Sequence, residues 1–144
     1  PQVSGPVDLI IFEGWCLGCR AESRQALIPP INELERLEDE DGIWRRFVND
    51  SILRYRELFR IVDRLIVLQT LNFESVVRWR KEQEHKLRQK SEASDTGVME
   101  DAEIDRFVQL FERVSRSTER DVGYEADVVF VQDDERRICS VEYR

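Results

Sequence analysis

This sequence has no long apolar run, no excess of basic residues and only three cysteines. No apolar run approaches the roughly 18 residues that a membrane-spanning helix needs, so no span is predicted. Residues 1–6, PQVSGP, have neither the basic nor the apolar part of an export signal, and none is predicted. The 30 acidic residues outnumber the 22 basic ones, which disfavours a nucleic-acid partner. Three cysteines, an odd number, favour a reducing compartment such as the cytoplasm over a disulfide framework.

The apolar residues that are present predict alternating strands and helices. At 144 residues and 41% hydrophobic content, the chain fits one globular domain with a core. Continuous apolar segments predict buried strands, and three- and four-residue apolar spacing predicts amphipathic helices. The predicted strands are residues 7–12, 64–69, 126–132 and a short last one at 138–143, and the predicted helices are residues 43–62, about 73–88 and 101–117.

The connecting segments are predicted to lack regular structure. Pro29-Pro30 breaks any helix in residues 20–43, and the sequence ELERLEDEDG within them is interpreted as a solvated acidic stretch. Residues 91–98, SEASDTGV, are interpreted as a small-polar loop, and Asn72 is positioned to cap the helix that follows it.

Strands separated by helices predict an α/β layered fold with a parallel sheet. Three or four strands make a thin sheet with exposed apolar edges, whereas a doubly wound domain has five or more strands and a ligand loop after the first one. The six glycines are scattered and form no phosphate-binding loop. We therefore interpret the sequence as the second part of a larger fold.

Two cysteines, Cys16 and Cys19, form a C-x-x-C pair. A tetrahedral zinc site needs four ligands, and neither the distant Cys139 nor the single His85 completes one. A redox C-x-x-C pair opens a helix in thioredoxin-like folds, and this alternative is only weakly indicated here. Cys139 is interpreted as a small strand residue.

An acidic residue and a glycine, Glu13-Gly14, follow the first predicted strand. Parallel α/β sheets bind their ligands at the carboxyl ends of their strands. Glu13 is therefore a candidate functional carboxylate, and Gly14 leaves the backbone beside it open to a substrate. The alternative is that Glu13 caps the next segment or pairs with an arginine.

Four segments resemble D-glycerate 3-kinases, within the group of P-loop small-molecule kinases that includes uridine kinase, phosphoribulokinase and pantothenate kinase. The segments are IIFEGWCLG, LERLEDEDGIWRRFVND, FESVVRWRKEQE and DAEIDRFVQLFER, in that order along nearly the whole chain. The resemblance implies ATP-dependent phosphorylation of D-glycerate with Mg²⁺. It also implies a P-loop kinase core, a three-layer parallel sheet with helices on both faces. Residues 1–144 would be its C-terminal part, with a lid at about 73–98.

The resemblance further implies a segment of the same protein, before residue 1, that carries the phosphate loop. Within residues 1–144, it assigns Glu13 to Mg²⁺, through water, or to the attacking hydroxyl. Arg80 lies with Glu84 inside the apolar arc of its predicted helix, and a charge there needs a partner. The partner would be ATP phosphate as the lid closes, or Glu84 in an i,i+4 salt bridge. Arg78, on the opposite side, is a second phosphate candidate.

The remaining candidates follow from the same resemblance. Arg45 or Arg46 could bind the carboxylate of glycerate, although a solvated helix face is the simpler interpretation. Asn49 and Tyr55 are substrate-binding candidates, and Tyr55 also fits the core. Arg113 is a candidate for ATP phosphate.

The predicted function is phosphoryl transfer from ATP to a small hydroxy acid, most simply D-glycerate. Two alternatives stay open at this stage. One is a related P-loop kinase with another small acceptor, and the other is a non-catalytic interaction fragment, because the phosphate loop is absent from residues 1–144.

Overall fold

The computed structural model describes residues 4–90 and 97–144. Four α-helices and three β-strands follow one another within these ranges, with a short 3-10 turn at Val122–Tyr124 before the second strand. They are α1 (Glu33–Glu38), α2 (Ile43–Phe59), β1 (Ile66–Thr70), α3 (Phe73–Lys90), α4 (Asp101–Asp121), β2 (Val128–Gln132) and β3 (Ile138–Tyr143). The predicted helices and the last three predicted strands are confirmed, with boundaries shifted by a few residues. Most of the predicted 91–98 loop, residues 91–96, lies outside the described residues.

The sheet has the strand order β1-β2-β3. β1 pairs with β2 in parallel, as the helical crossover through α3 and α4 requires. β2 pairs with β3 antiparallel, with an irregularity between Val131 and Gln132. The prediction of an entirely parallel sheet is therefore wrong for β3, because the short connection at residues 133–137 allows only a hairpin.

The first predicted strand is absent from the structure. Residues 7–12 are assigned to no strand, and Leu9, Ile10 and Ile11 expose 74%, 80% and 83% of their surface. An apolar segment forms a buried strand only when a neighbouring strand takes up its backbone hydrogen bonds and another layer covers its side chains. No described part of the chain supplies either, so Glu13 does not follow a strand end here.

Helices cover one face of the sheet and leave the other bare. Phe73 of α3 packs with Ile104 and Val108 of α4 in the hydrophobic core, and Val129 of β2 is buried on the covered face. The opposite face carries apolar side chains with large exposed areas. Register places them in two rows across the sheet, Ile66-Val128-Tyr143 and Leu68-Phe130-Val141. Helices on both faces were predicted, and only one layer is present in the described residues.

The acidic stretch contains a short helix that was not predicted. The side chain of Asn32 accepts a hydrogen bond from the amide of Glu35 at 2.9 Å, and the Glu35 carboxylate reaches back to the amide of Ile31 at 3.0 Å. Leu34 and Glu35 are buried. An asparagine followed three residues later by a glutamate is a helix-start signal in the sequence. The interpretation of this stretch as wholly solvated was wrong for these residues.

Helix α2 buries polar side chains and exposes aromatic ones. Arg45 and Asn49 are its buried residues. Trp44 stacks on Phe47, and Tyr55 stacks on Phe59, along a side where Trp44, Phe47 and Tyr55 are each about half exposed. Its apolar stripe therefore lies outside the core of the described structure. None of the described helices combines the length and apolar character of a membrane span.

The start of α2 depends on Gly42. Its φ of +66° lies in the left-handed region, and a Cβ placed there would approach the guanidinium carbon of Arg45 to 2.8 Å. Replacing Gly42 with alanine is expected to lower the free energy of unfolding by about 1–2 kcal/mol, because an L-residue is strained in this conformation. Urea unfolding followed by circular dichroism measures the change. Gly14→Ala is the control, since a Cβ there meets nothing within 4 Å, and an equal loss in both variants would contradict the prediction.

Candidate active site

Helix α3, which contains the RWR sequence of residues 78–80, is fixed at its first turn. The side chain of Asn72 accepts a hydrogen bond from the Ser75 amide at 2.9 Å, which confirms the predicted cap. Ser75 Oγ lies 2.6 Å from Asp134 in the β2–β3 turn, and the Trp79 indole donates to the Asp134 carbonyl at 2.8 Å. The hydroxyl of Ser75 and the guanidinium of Arg78 lower the pKa of Asp134. The β2–β3 turn therefore holds α3 at the edge of the sheet.

Arg80 lies on the side of α3 that faces α4. Its guanidinium donates to Gln83 at 2.8 Å and to Glu84, whose side chain is 3% exposed. The guanidinium also lies over the ring of Phe107, 5.5 Å from its centroid. The buried Nε of Arg80 has no hydrogen-bond partner in the described structure. The predicted i,i+4 pair with Glu84 is thus formed, and a further acceptor for Nε is missing.

A row of aromatic rings connects Arg80 to the segment that contains Glu13. The Phe107 and Phe111 rings of α4 are 4.9 Å apart, and Phe111 meets Trp15 edge-to-face at 5.2 Å. Trp15 follows Glu13 by two residues. It lies within a turn of residues 14–17, in which the Leu17 amide donates to the Gly14 carbonyl at 3.2 Å. Arg80 therefore lies at one end of an aromatic row along α4, and Trp15, two residues after Glu13, lies at the other.

The Glu13 carboxylate is exposed, and it makes no hydrogen bond or ion pair with the residues that the structure describes. The alternative of a partner arginine is therefore not realised. Within residues 4–90 and 97–144, no three His, Cys, Asp or Glu side chains are grouped as metal ligands. A free carboxylate suits Mg²⁺, which keeps most of its waters and is held by one or two carboxylates together with substrate phosphates. Glu13 fits that role as a single ligand and builds no metal site alone.

A groove of about 610 Å³ runs along α3 beside Arg80. Its lining combines apolar surface with cations, and consists of Val76, Trp79, Arg80, Gln83, Lys86, Leu87 and Arg136. Arg136 stands in the β2–β3 turn with a φ of +63°, stacks over Trp79 at 5.1 Å, and pairs with Glu82 at 2.8 Å. Arg78 lies outside this lining and pairs with Asp134 at 2.8 Å. No sequence pattern indicated Arg136, because its position depends on the hairpin folding back onto α3.

Three other predicted site residues line one small cavity between α2 and α4. Arg45, Asn49 and Arg113 share it with Arg20, Glu22 and Glu35. Its volume of about 20 Å³ holds one water molecule and no larger ligand. The sequence assigned Arg45 and Asn49 to the acceptor and Arg113 to ATP phosphate, and in the structure all three are engaged by protein groups.

The donors of Arg45 are occupied by protein acceptors. Its guanidinium pairs with Asp39 at 3.1 Å and donates to the carbonyls of Leu27 and Ile28 at 2.7 and 3.1 Å. Burial opposes the ionised form of Asp39. The amide donors of Arg45 and Trp44 and the Arg45 charge outweigh burial, and they lower the pKa of Asp39. Arg45 therefore joins the loop before α1 to the start of α2, which argues against the predicted contact with a substrate carboxylate.

Asn49 and Arg113 also make their hydrogen bonds and ion pairs with other residues of the chain. Asn49 accepts from the Glu22 amide at 2.7 Å and donates to the Glu22 carbonyl at 3.1 Å. Arg113 pairs with Glu35 at 2.6 Å and with Glu22 at 3.2 Å. The hydrogen bond to Glu35 has the largest effect on the pKa of Arg113, and together with the bond to Glu22 it raises that pKa further above its ordinary value. Tyr55, by contrast, lies on the exposed side of α2 and outside both pockets.

Comparison with known proteins gives distant matches to one group of kinases. No protein-family model matches the sequence. The chain is similar to the chloroplastic D-glycerate 3-kinase of Arabidopsis thaliana, with 28% identity over 112 residues, which are 77% of this chain and 21% of that protein. Its structure is similar to that of D-glycerate 3-kinase from Cryptococcus neoformans var. grubii, with a TM-score of 0.74 and 23% identity. That match covers 99% of this chain and 52% of the solved chain.

Both matches are to D-glycerate 3-kinases, at low sequence identity. The mixed α/β fold of this chain is similar to that of the solved one. The chain spans about half the length of the structural relative and about a fifth of the plant protein. The plant relative is chloroplastic, and a cytoplasmic location for the present protein stays a prediction.

Proposed function

We propose that this chain is the lid-bearing part of an ATP-dependent P-loop kinase that phosphorylates a small hydroxy acid, with D-glycerate as the acceptor. The observation that supports this best is the arrangement along α4. Arg80 is held over Phe107 at one end of the aromatic row, and Trp15, two residues after the free carboxylate of Glu13, lies at the other end. Similarity to a solved D-glycerate 3-kinase over 99% of the chain supports the same reaction class.

In the proposed reaction, the γ-phosphoryl group of ATP passes to a hydroxyl group of glycerate. Enzymes of this kind act mainly by positioning and by stabilising charge on the transferred group. Mg²⁺ bound with ATP would neutralise part of the phosphate charge. Glu13 would hold a water of that ion or orient the attacking hydroxyl. Arg80 would meet the transferred group, since its guanidinium is always charged and its Nε lacks a partner.

Arg78 has a secondary place in this proposal. It is half exposed and is held by Asp134, so it can contribute to phosphate binding only if that ion pair opens as the lid closes. Arg113 and Arg45 are not part of the proposed site, because both are buried and engaged by carboxylates. Contacts of the acceptor with Asn49 and Tyr55 stay predictions from the sequence.

We further propose that the chain works together with a segment of the same protein that carries the phosphate loop. The accessible surface is 10840 Å², roughly 3,000 Å² more than a folded monomer of this mass exposes. Exposed large apolar side chains lie in residues 7–12, on the bare sheet face and on the aromatic side of α2. An area of this size is typical of an obligate interface, and about half of the solved relative has no counterpart in this chain.

The proposal is tested on the natural polypeptide that contains these residues, purified from its source. Release of ADP is measured by a coupled assay with ATP, Mg²⁺ and a panel of small hydroxy acids. We expect turnover with D-glycerate and little with acceptors that lack either the carboxylate or a hydroxyl. ATP-dependent turnover of another hydroxylated acceptor in place of D-glycerate would change the proposed acceptor and support the proposed kinase activity. Absence of ATP binding by the natural polypeptide would overturn the proposal and favour a non-catalytic interaction protein.

A further inference from the structure

The C-x-x-C pair occupies the two corners of a tight turn. The Cys19 amide donates to the Cys16 carbonyl at 3.1 Å, and Gly18 between them has a φ of +80°. These features define a type II β-turn with cysteines at its first and fourth positions, whose Cα atoms are by definition less than about 7 Å apart. Disulfides join Cα atoms separated by about 4.4–6.8 Å. The backbone is therefore already close to the geometry that a disulfide needs.

The two cysteines differ in exposure. Both are free thiols. Burial, together with the nearby Cys16, raises the pKa of Cys19 to about 12. Cys19 is 4% exposed, whereas Cys16 is only partly buried. The pair thus consists of one thiol that solvent can reach and one that is sheltered directly behind it.

We propose that Cys16 and Cys19 form a reversible disulfide across this turn, by exchange with a small-molecule disulfide such as oxidised glutathione. This inference does not depend on the proposed kinase function. It assigns a redox modification site to a motif whose spacing alone was only a weak indication. The additional observations are the turn geometry and the unequal exposure of the two thiols.

The exchange proceeds in two balanced steps. The Cys16 thiolate attacks one sulfur of the oxidised disulfide, forms a mixed disulfide and releases one thiolate. The Cys19 sulfur, after losing its proton, then attacks Cys16 and releases the second thiolate. Two electrons pass to the small molecule, and the two cysteine protons end on the released thiols.

The turn is placed where a covalent link would affect its surroundings. A Cβ placed on Gly18 would lie 3.4 Å from the side chains of Leu65 and Val122, so the turn lies close to both. Trp15, just before Cys16, meets Phe111 on α4. A disulfide would tie the Trp15 side of the turn to the buried Cys19 side. Oxidation is therefore expected to restrict opening of the 13–17 segment away from α4.

The alternative is that Cys19 is simply a small residue filling the core. The test uses the natural polypeptide that contains these residues, with Cys139→Ser, because Cys139 is exposed and would form its own mixed disulfides. The protein is equilibrated in glutathione buffers of increasing oxidation, acid-quenched, and analysed by intact mass and peptide mapping. We expect a species lighter by two hydrogens, with a Cys16–Cys19 link that dithiothreitol reverses. Reduced thiols or a stable glutathione adduct on Cys16 in the most oxidising buffer would overturn the proposal.

Two further variants separate the roles of the thiols. In Cys19→Ala, oxidation is expected to stop at a mixed disulfide on Cys16. In Cys16→Ala, Cys19 is expected to stay a free thiol because it is buried. If Cys19→Ala fails to fold, Cys16→Ala and the parent protein still decide the question. Equal glutathione adducts on Cys16 and Cys19 in the single variants would contradict the proposed order of attack.

Discussion

Replacing Arg80 with alanine is expected to lower kcat of the complete kinase about 10³-fold or more, in the range found for arginines that stabilise a transferred phosphoryl group. The physical reason is the placement of the guanidinium, which is held over Phe107 by Glu84 and Gln83. A charge fixed in this way stabilises the transition state without reorganising during the reaction. Steady-state kinetics with ATP and D-glycerate measures the effect.

The controls for Arg80→Ala are chosen from the same helix. Arg88→Ala removes an exposed arginine that donates to the Met99 carbonyl, and it is expected to change kcat less than about threefold, as for a surface substitution. Arg80→Lys keeps the charge and loses the paired donors, so an intermediate rate is expected. Similar kcat values for Arg80→Ala and Arg88→Ala would contradict the role of Arg80. Arg45→Ala is unsuitable as a control because the Arg45 side chain is buried in an ion pair.

Replacing Arg113 with alanine is expected to lower the free energy of unfolding by about 3–5 kcal/mol, as when one partner of a buried ion pair is removed. Arg113 and its partners Glu22 and Glu35 expose 10% or less of their side chains. The guanidinium also donates to the carbonyls of Ala26 and Pro29 at 3.0 and 2.8 Å. Without it, two carboxylates and two carbonyls between α1 and α4 lose their shared donor. Urea unfolding of the 144-residue chain measures the loss.

Arg116 supplies the matched control for Arg113. It lies one turn further along α4 and pairs with Glu112 and Glu74, but its side chain is 46% exposed. Arg116→Ala is expected to cost less than about 1 kcal/mol, because solvent screens exposed pairs. An equal loss of unfolding free energy in Arg113→Ala and Arg116→Ala would show that the buried cluster stabilises the fold no more than the exposed pairs do. A second comparison replaces Arg113 with methionine and Glu35 with leucine together, which should recover part of the loss by removing both charges.

Local patterns in the sequence predicted most of the elements. The spacing of Ile104, Phe107, Val108 and Phe111 identified α4, and the apolar segments 64–69 and 126–132 identified β1 and β2. These patterns succeed because helices and buried strands repeat their contacts at fixed intervals. The pair of Arg80 and Glu84 could be found in the same way, since residues four apart share one side of a helix.

Residues 7–12 and Arg45 show where local patterns fail. Residues 7–12 have the composition of a buried strand, but pairing and burial depend on neighbours that the described chain does not provide. Arg45 is an ordinary cation in the sequence, and its role depends on carbonyls 17 and 18 residues away. Whether a polar side chain faces a ligand or the protein is decided by such distant contacts.

The sequence by itself determined most of the helices and strands and their order, the positions of the charged residues on α3, and a likeness to D-glycerate 3-kinases. All of these depend on residues close together in the chain or on their order along it. Only the tertiary structure decided that Arg45, Asn49 and Arg113 are engaged by protein groups, that Phe107 and Arg136 flank α3, and that one sheet face is bare. The reason is physical: burial and ion pairing depend on distances between remote segments, and folding alone sets those distances.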